Sequence, residues 1–334
     1  MMPRSEEFLL DERNRSEAAH DAAREKWERF NETRAEPVTG WFPDLSMAEY
    51  LAIPAMGASG LVEFRRSPAH FDHARRHPKE PTPAMREGTA LHLALLEPDL
   101  YAGRYVSLGQ CEGVKKDLSR CTNGGSSYRG GASFCGVHDP AKGEPMDDGV
   151  EVMPNEAIGR IEGMRRAVLA HPELGQFFRG RGVSELTGVW LDEASGLLCK
   201  IRLDRYVERA GVHFDLKRTV SAEREAFRRQ VVRMGYAFRS AFYRRGMAAL
   251  DKPAMASVLG AVEADAPHGV QAFLLDESDL ETFTPEIDRL LYQAAECEAT
   301  GDYPAYPGGL RELKLPAWGL SEFTDDTELE NTDG

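Results

Sequence analysis

The segment GVHFDLKRTVSAEREAF, Gly211 to Phe227, begins with an apolar alternation and then places an acid and a lysine two positions apart. Because side chains two positions apart on a strand share a face, Asp215 and Lys217 are expected to point to the same side. One interpretation is a surface ion pair worth less than about 1 kcal/mol. The other is one half of a metal-dependent site, and the rest of the sequence has to decide between them.

The composition predicts a globular protein with a substantial core. The 334 residues are 42% hydrophobic and 29% charged, which suits one large domain or two ordinary ones. No apolar run approaches the roughly 18 residues that a membrane span needs. The N-terminus is charged throughout and lacks the apolar centre of a signal peptide. We therefore expect a cytoplasmic protein with no membrane association.

The net charge of −14 argues against a general affinity for nucleic acid. Phosphate contacts depend on a local basic patch rather than on the total, however, so the acidity weakens a DNA-binding interpretation without excluding it. Two groups of basic residues stand out, one before residue 80 and one after residue 220: Arg65, Arg66, Arg75, Arg76 and Lys79, and Arg224, Arg228, Arg229, Arg233, Arg239, Arg244 and Arg245.

The chain divides into four parts. Residues 1–45 are polar and expected to be partly disordered, with some helix around 16–31, and residues 319–334 form an acidic tail expected to be disordered. Residues 46–318 are expected to form one domain, with a Gly-, Ser- and Cys-rich insertion at 107–149. The periodicity predicts helices over 85–96, 154–171, 221–249 and 285–300, and strands over 184–192, 197–209 and 212–219.

Acidic residues recur on these three strands, with Glu185 on the first, Asp204 near the end of the second and Asp215 on the third. Such positions can converge in an antiparallel meander. Like charges 4 Å apart repel by about 4 kcal/mol at intermediate dielectric, and a hard divalent cation with a preference for oxygen ligands relieves that repulsion. Bound Mg²⁺ can orient a water and stabilise charge on a scissile phosphate. Lys217 could position that water, and the Leu216 carbonyl could complete the metal shell.

An acid, about ten residues, Asp-x-Lys on a neighbouring strand and then a long helix is the PD-(D/E)xK nuclease pattern. Further segments resemble the exodeoxyribonuclease VIII-like family of phage and prophage exonucleases: SPAHF, PTPAMREGTALHLALLEP, KIRLDRY, FDLKRTVSA, MGYAFRSAFY and TGDYPAYPGGLRELKLPAW. The resemblance covers residues 47–318 apart from the insertion. It implies an α/β (α+β) fold with a restriction-endonuclease-like core, in which helices flank a central mixed sheet.

The resemblance also implies roles for the matching residues. Asp204 and Asp215 would bind Mg²⁺ or Mn²⁺, and Lys217 would be the catalytic lysine. His92, in GTALH, matches the histidine that faces the metal site in this family, and Glu185 would be an additional acid. From the residues alone, His92 is more simply a core histidine on an apolar helix.

The implied activity is Mg-dependent hydrolysis of linear duplex DNA from an end, in the 5′ to 3′ direction, leaving single strand for phage recombination. The implied partners are a DNA end, a single-strand-annealing recombinase and further copies of the chain in a ring. The implied location is the cytoplasm of a bacterial host, with the protein encoded by a phage or prophage.

The helix after the third strand departs from the family at one position. The family reads Tyr, two residues, Gln, three residues, Tyr; here Tyr236 and Tyr243 are kept, and Arg239 stands in place of Gln. Arginine is a bidentate phosphate ligand, so Arg239 either contacts DNA or signals an altered activity. Arg228 and Arg229 on the same helix are expected to contact the DNA backbone, with a solvated helix face as the alternative. Arg239, Tyr236 and Tyr243 are expected to bind DNA as well.

The insertion contains CEGVKKDLSRCTNGGSSYRGGASFCGVH, which supplies four candidate metal ligands: Cys111, Cys121, Cys135 and His138. Three thiolates and an imidazole suit a tetrahedral structural Zn²⁺, and a Gly- and Ser-rich segment needs such a staple to fold. The alternatives are free cysteines in a flexible loop and an iron–sulfur cluster, but Cys199 and Cys297 do not complete a four-cysteine pattern and are expected to be core thiols. The module could grip DNA or a protein through its basic residues: Lys115, Lys116, Arg120 and Arg129.

Two further functional classes stay open beside the exonuclease. One is a catalytically altered DNA-binding protein that keeps the nuclease fold, for which Arg239 is the motivating residue. The other is a zinc-dependent adaptor in which the nuclease-like core is only a scaffold.

Overall fold

The computed structural model of the chain describes residues 39–43, 45–143, 149–306, 308–310 and 312–314. The helix expected around 16–31 and the acidic tail 319–334 lie outside the described residues, and of the N-terminal segment 1–45 only 39–43 and 45 are described. No helix in the described part of the chain is both long enough and apolar enough to cross a bilayer.

A mixed sheet forms the centre of the domain. In chain order the strands are β1 (Gly40–Phe42), β2 (Met56–Gly57), β3 (Tyr105–Val106), β4 (Ser127–Arg129), β5 (Ala132–Phe134), β6 (Glu151–Val152), β7 (Val183–Leu191), β8 (Leu198–Val207), β9 (Val212–Thr219), β10 (Ala256–Glu263) and β11 (Val270–Leu274). Across the sheet the order is β1-β7-β8-β9-β10-β11, with β2 paired to β8. The strands β7, β8 and β9 form an antiparallel meander, and β10 runs parallel to β9.

Helices flank this sheet, as predicted. They are α1 (Met47–Ala52), α2 (Ala58–Arg66), α3 (Pro68–Arg76), α4 (Pro83–Leu96), α5 (Pro98–Arg104), α6 (Asn155–Ala170), α7 (Leu174–Arg179), α8 (Arg224–Met234), α9 (Tyr236–Ala249), α10 (Glu277–Glu281) and α11 (Thr284–Thr300). One core cluster joins β7 and β8 to α2, α9 and α11 through side chains such as Trp190 and Phe242. A second joins β9 to α4 and α6 through Phe214, Leu91 and Ile161.

The helix predicted over 221–249 is wrong as a single element. It is two helices, α8 and α9, separated by Gly235 at φ 66. The Gly235 N–H bonds the carbonyls of Val231 and Val232 and so closes α8. Because a left-handed residue cannot continue a right-handed helix, the chain turns there before α9 begins. The helix and strand ends predicted elsewhere fall within two residues of those observed.

The segment predicted as an insertion runs between β3 and β6. These two short strands pair in parallel, Tyr105 with Glu151 and Val106 with Val152. Within the described part of the segment, the regular structure is the hairpin of β4 and β5. The excursion therefore leaves and rejoins the domain at neighbouring points.

Candidate functional site

Three acidic side chains meet where β7, β8 and β9 run side by side. The register of β7 and β8 puts Glu185 opposite Asp204, and that of β8 and β9, continued by one residue, puts Asp204 opposite Asp215. The Asp204 and Asp215 carboxyls share a hydrogen bond. Ligand atoms of His92, Glu185 and Asp204 lie within 4.8 Å of one another. The acids predicted on three strands and the histidine predicted on a helix are thus brought together.

Glu185 interrupts the backbone ladder at this point. Its neighbours on both sides pair with β8, but Glu185 itself, at φ 52, does not pair with Asp204. A glutamate in the left-handed region is uncommon and costs conformational free energy, and such residues cluster at functional sites. The sequence alone gave no sign of this conformation.

A buried arginine that sequence reasoning missed holds the Glu185 side chain. Arg202 Nε donates to Glu185 Oε2 at 2.6 Å, and Arg202 Nη1 donates to Thr187 Oγ1 and to the Leu45 carbonyl. Its one signal in the sequence is its position two residues before Asp204 on the same strand. Glu185 therefore faces the acid cluster while already having a cationic partner.

The two aspartates at the centre have opposite pKa shifts. Burial and the neighbouring Asp215 carboxylate raise the pKa of Asp204 well above its ordinary value. Burial acts in the same direction on Asp215, but the Lys217 ammonium outweighs it and lowers the pKa of Asp215. Two adjacent buried carboxylates cannot both ionise at low cost, so the doubly ionised form of this pair is disfavoured without a cation.

Lys217 lies against Asp215, as the spacing of the two residues predicts. Its Nζ is 2.6 Å from each Asp215 carboxylate oxygen and lies 5.1 Å from the centre of the Tyr236 ring. Burial lowers the pKa of Lys217, but the carboxylates of Asp215 and Asp204 outweigh it and raise that pKa. The lysine is a fixed, permanently protonated cation beside the acids.

His92 reaches the acids from α4. Its Nε2 is 3.0 Å from the Leu216 carbonyl, and its Nδ1 is 3.5 Å from Asp204 Oδ2. Since a carbonyl only accepts, Nε2 carries the proton and Nδ1 presents a lone pair toward Asp204. Burial, and then the Lys217 ammonium, lower the pKa of His92, which favours this neutral form. The Leu216 carbonyl, a predicted metal ligand, accepts this hydrogen bond, and the Leu216 N–H donates to Asp204 Oδ2 at 2.9 Å.

The donor set at this point fits a hard divalent cation. It offers carboxylate oxygens from Glu185 and Asp204 and one imidazole nitrogen from His92 within 4.8 Å of one another, the ligand types that Mg²⁺ and Mn²⁺ accept. The Asp215 carboxylate lies beside this group, and burial together with that carboxylate raises the pKa of Asp204.

A second buried ionic group, also missed from the sequence, supports the histidine helix. Glu87 on α4 is 5% exposed and forms ion pairs with Arg160 of α6 and with Arg218 of β9, the latter at 2.9 Å. One carboxylate thus ties α4 to the helix beside it and to the strand that carries Asp215 and Lys217. A glutamate on an otherwise apolar helix face was the one available signal.

The arginines predicted to contact DNA from α8 are on the protein surface. Arg229 is exposed, and Arg228 is exposed apart from an ion pair with Glu225 at 2.8 Å. Their helix begins at Arg224, five residues after the last residue of β9. Neither side chain is engaged in the core.

The other three predicted DNA-binding residues lie deeper. Arg239 donates to Ser59 Oγ at 3.0 Å, and its Nε is buried with no hydrogen-bond partner among the described residues. Tyr243 is half-buried, edge-on to the ring of His213 at 5.2 Å, and Tyr236 lies under Lys217. The two tyrosines thus lie near the acid cluster, Tyr236 against Lys217 and Tyr243 close enough to Asp204 and Asp215 for their carboxylates to help burial raise the pKa of Tyr243.

The three cysteines and the histidine of the insertion form a second cluster, with all ligand atoms within 4.8 Å of one another. Cys121 Sγ and Cys135 Sγ are 3.9 Å apart, and His138 Nδ1 is 3.6 Å from Cys111 Sγ and 3.4 Å from Cys135 Sγ. Tetrahedral zinc with ordinary bond lengths requires edges of about 3.8 Å between sulfurs and about 3.5 Å between sulfur and nitrogen. The four side chains therefore fit such an ion.

Backbone N–H groups around the cluster point at the sulfurs of Cys135 and Cys111. The Val137 N–H and the His138 N–H, directed at the sulfur, help to lower the pKa of Cys135 to about 6. The Gly113 N–H donates to Cys111 Sγ at 3.3 Å. Gly113 also has to be glycine, because a Cβ there would stand 2.4 Å from the His138 ring. The segment is thus shaped around the four ligands.

A central mixed sheet flanked by helices, with acids on consecutive strands and an Asp-x-Lys, defines the PD-(D/E)xK class of domain. The chain belongs to the family described as a PDDEXK-like domain of unknown function (DUF3799), whose model matches residues 57–315.

One solved structure supports this fold. A crystal structure of a provisionally named exonuclease from Eubacterium rectale matches with a TM-score of 0.52 and 13% identity, covering 84% of this chain and 99% of that one. A structure of the protein SSO0001 matches less well, with a TM-score of 0.24 and 16% identity over 41% of this chain and 61% of that one. No curated protein matches the chain.

Proposed function

We propose that the protein is a metal-dependent deoxyribonuclease that hydrolyses phosphodiester bonds at the cluster formed by Glu185, Asp204, Asp215 and Lys217. The observation that carries the proposal is the meeting of Glu185, Asp204 and Asp215 from three adjacent strands, with Lys217 Nζ 2.6 Å from Asp215. An ion pair with only a structural role would need neither the extra acids nor the raised pKa. Membership of a PD-(D/E)xK-like family supports the same reading.

Asp204 and Asp215 would hold Mg²⁺ or Mn²⁺, with Glu185 and the Nδ1 atom of His92 beside them. When bound, the cation supplies charge stabilisation for the phosphate and a more acidic water. The Leu216 carbonyl keeps a second lone pair after accepting from His92, so it stays available as a ligand. A bound cation would favour the ionised form of Asp204.

The chain's own residues supply positioning and charge. Lys217, protonated and held by Asp215, places a fixed positive charge where the phosphate gains negative charge. The Tyr236 ring limits the directions in which the Lys217 ammonium can move. His92, locked by Leu216, presents one defined nitrogen to the acids. None of these groups has to reorganise during the reaction.

DNA is the proposed substrate. Arg228 and Arg229 would contact the backbone from the exposed face of α8, and Arg239, Tyr236 and Tyr243 would line the approach to the acids. The likeness to a provisionally named exonuclease supports action from an end. The 5′ to 3′ direction, a phage recombination role in a host cytoplasm, an annealing recombinase as partner and a ring of subunits rest on the sequence resemblance alone.

We further propose that the second cluster binds a structural Zn²⁺ through Cys111, Cys121, Cys135 and His138. The support is the match of its ligand spacings to a tetrahedron and the lowered pKa of Cys135. The ion would take the place of a hydrophobic core in this segment.

The nuclease proposal is tested with purified full-length protein, Mg²⁺ or Mn²⁺ and an end-labelled linear duplex. The parent should release nucleotides, and Lys217→Ala should reduce the rate at least a thousandfold, because fixed charges aimed at the transition state contribute on that order. Circular-dichroism melting should show that Lys217→Ala remains folded. Arg289→Gln, at an exposed residue of α11 outside the acid cluster and the proposed DNA contacts, serves as the control and should keep the parent rate.

The outcome also decides between the enzyme and its alternatives. A parent that binds DNA but cleaves nothing with either cation would point to the catalytically altered DNA-binding protein. A parent that neither binds nor cleaves DNA would favour the zinc-dependent adaptor.

A further inference from the structure

The two cysteines that open the insertion, Cys111 and Cys121, are joined by a tight hairpin. The Lys115 N–H bonds the Ser119 carbonyl, and the Leu118 N–H bonds the Lys115 carbonyl. This is the pattern of a three-residue hairpin loop, in which a turn is followed by one residue in the left-handed region. Leu118, at φ 66, occupies that residue's position.

Leucine is an unexpected residue there. Glycine or asparagine ordinarily takes this position, because a larger side chain is strained at positive φ. No burial compensates for the strain, since Leu118 is 86% exposed. Strained residues that gain no stabilising contact inside the protein are typical of functional positions. Leu118 is therefore a candidate for contact with another molecule.

The rest of the hairpin tip is basic and apolar. Lys115, Lys116 and Arg120 are exposed and form no ion pair among the described residues, whereas Asp117 is used within the turn by Ser119. Two valines beside the tip are exposed as well, Val114 at 58% and Val137 at 80%. On a chain of net charge −14, this is a local positive surface with an apolar centre.

The tip is also held firmly. Both of its ends are ligands of the proposed metal, the Cys121 N–H bonds the Gly113 carbonyl, and the His138 ring lies against Gly113. A strained residue at the end of a stapled hairpin keeps its direction. This is the requirement for a side chain that has to enter another molecule.

We infer that this hairpin tip is a DNA contact in which Leu118 wedges against a base step while Lys115, Lys116 and Arg120 bind the flanking phosphates. The inference rests on the proposed function, which makes DNA the substrate. Positive charge around an apolar side chain is complementary to a nucleic acid, since phosphates attract the former and an unstacked base step accepts the latter. An apolar surface for a protein would not need the unpaired lysines.

The test separates the effect of backbone strain at Leu118 from the effect of losing its contact with DNA. In the full-length Lys217→Ala protein, which cannot degrade the probe, Leu118→Gly and Leu118→Asn remove the wedge but suit the left-handed conformation. Both should melt no lower than the parent, yet raise the Kd for a linear duplex about tenfold, because an apolar side chain leaves its contact. Leu118→Met keeps an apolar side chain and should bind as the parent does. Leu274→Ala, at an exposed leucine on β11, is the surface control.

Two further readouts identify the roles within the tip. A 2-aminopurine base near the duplex end should brighten on binding of the parent and stay dim with Leu118→Gly. Substitution of Lys115 and Lys116 by Gln should reduce the slope of log Kd against log salt concentration by about 0.9 per lost phosphate contact. Leu118→Gly should leave that slope unchanged.

Unchanged affinity and unchanged fluorescence for both Leu118 variants would overturn the inference, and would leave the tip as a site for a protein. A parent that fails to bind DNA at all would overturn the proposed function together with it.

Discussion

Glu185 faces Asp204 across β7 and β8 without a backbone pair between them, because Glu185 is held at positive φ. The gap in the ladder is what brings the Glu185 carboxylate to the acid cluster, and Arg202 fixes it there. The proposed metal site and the backbone strain thus coincide at Glu185. Substitution of this residue therefore tests metal binding and stability together.

Glu185→Gln should weaken Mn²⁺ binding at the acid cluster about tenfold, because one carboxylate is lost from the donor set. It should also lower the free energy of unfolding by about 1–3 kcal/mol, since Arg202 is left buried with a neutral partner. Calorimetric Mn²⁺ titration and urea unfolding measure the two effects. Glu162→Gln, at an exposed pair with Arg165, is the matched control. Parent-like Mn²⁺ affinity in Glu185→Gln would remove Glu185 from the metal site.

Glu87→Gln should destabilise the protein by about 3–5 kcal/mol, because Arg160 and Arg218 lose the buried carboxylate that neutralises them. Urea unfolding measures the loss. The exposed pair of Glu225 and Arg228 offers the comparison, and Glu225→Gln should cost less than about 1 kcal/mol. Similar losses for the two variants would show that the buried group does not anchor α4.

The free energy of unfolding should depend on pH because of His213. Its side chain is fully buried, neither ring nitrogen has a hydrogen-bond partner among the described residues, and burial lowers its pKa to about 4. Between pH 6.5 and pH 4 the unfolded chain therefore binds a proton that the folded chain does not. The free energy of unfolding should fall as the pH falls through this window, by about 3 kcal/mol in total.

His213→Phe should remove that contribution, so the difference between its unfolding free energy and that of the parent should grow toward low pH. Denaturant unfolding at several pH values, without added divalent cation, provides the difference. His77→Phe, at an exposed ring, should run parallel to the parent. A His213→Phe curve parallel to the parent as well would show that His213 finds a partner in solution.

Cys135→Ser should reduce the zinc content from one ion per chain to none, because a hydroxyl does not replace a thiolate ligand. Elemental analysis measures the ion, and limited proteolysis should then cut within 107–149 while the remaining domain resists. Cys199→Ser is the control, since burial raises the pKa of that thiol and keeps it protonated. Zinc retained by Cys135→Ser would refute the ligand assignment.

The sequence was informative where local pattern decides structure. The alternation around Asp204 and Asp215 predicted their strands, and Cys111 to His138 were expected together because their residue types have few other uses at that spacing. Both features need only neighbours in the chain. The fold class, which the resemblance to a nuclease family implied, was confirmed.

Features that depend on tertiary contacts were not predictable in this way. Arg202 and Glu87 acquire their roles from partners 17 residues away in one case and 73 and 131 in the other, and no local pattern encodes such pairs. The prediction of one continuous helix across Gly235 failed for another reason. An isolated glycine in an amphipathic run is compatible with either an unbroken helix or two helices.

The pairing of β3 with β6 makes the excursion between them a cassette. Since Val106 and Glu151 belong to the same short parallel ladder, the backbone at the splice is already closed without the intervening residues. Replacement of the cassette by a linker long enough to join two parallel strands, or by an unrelated small module, should therefore leave the hydrogen bonding of the central sheet intact.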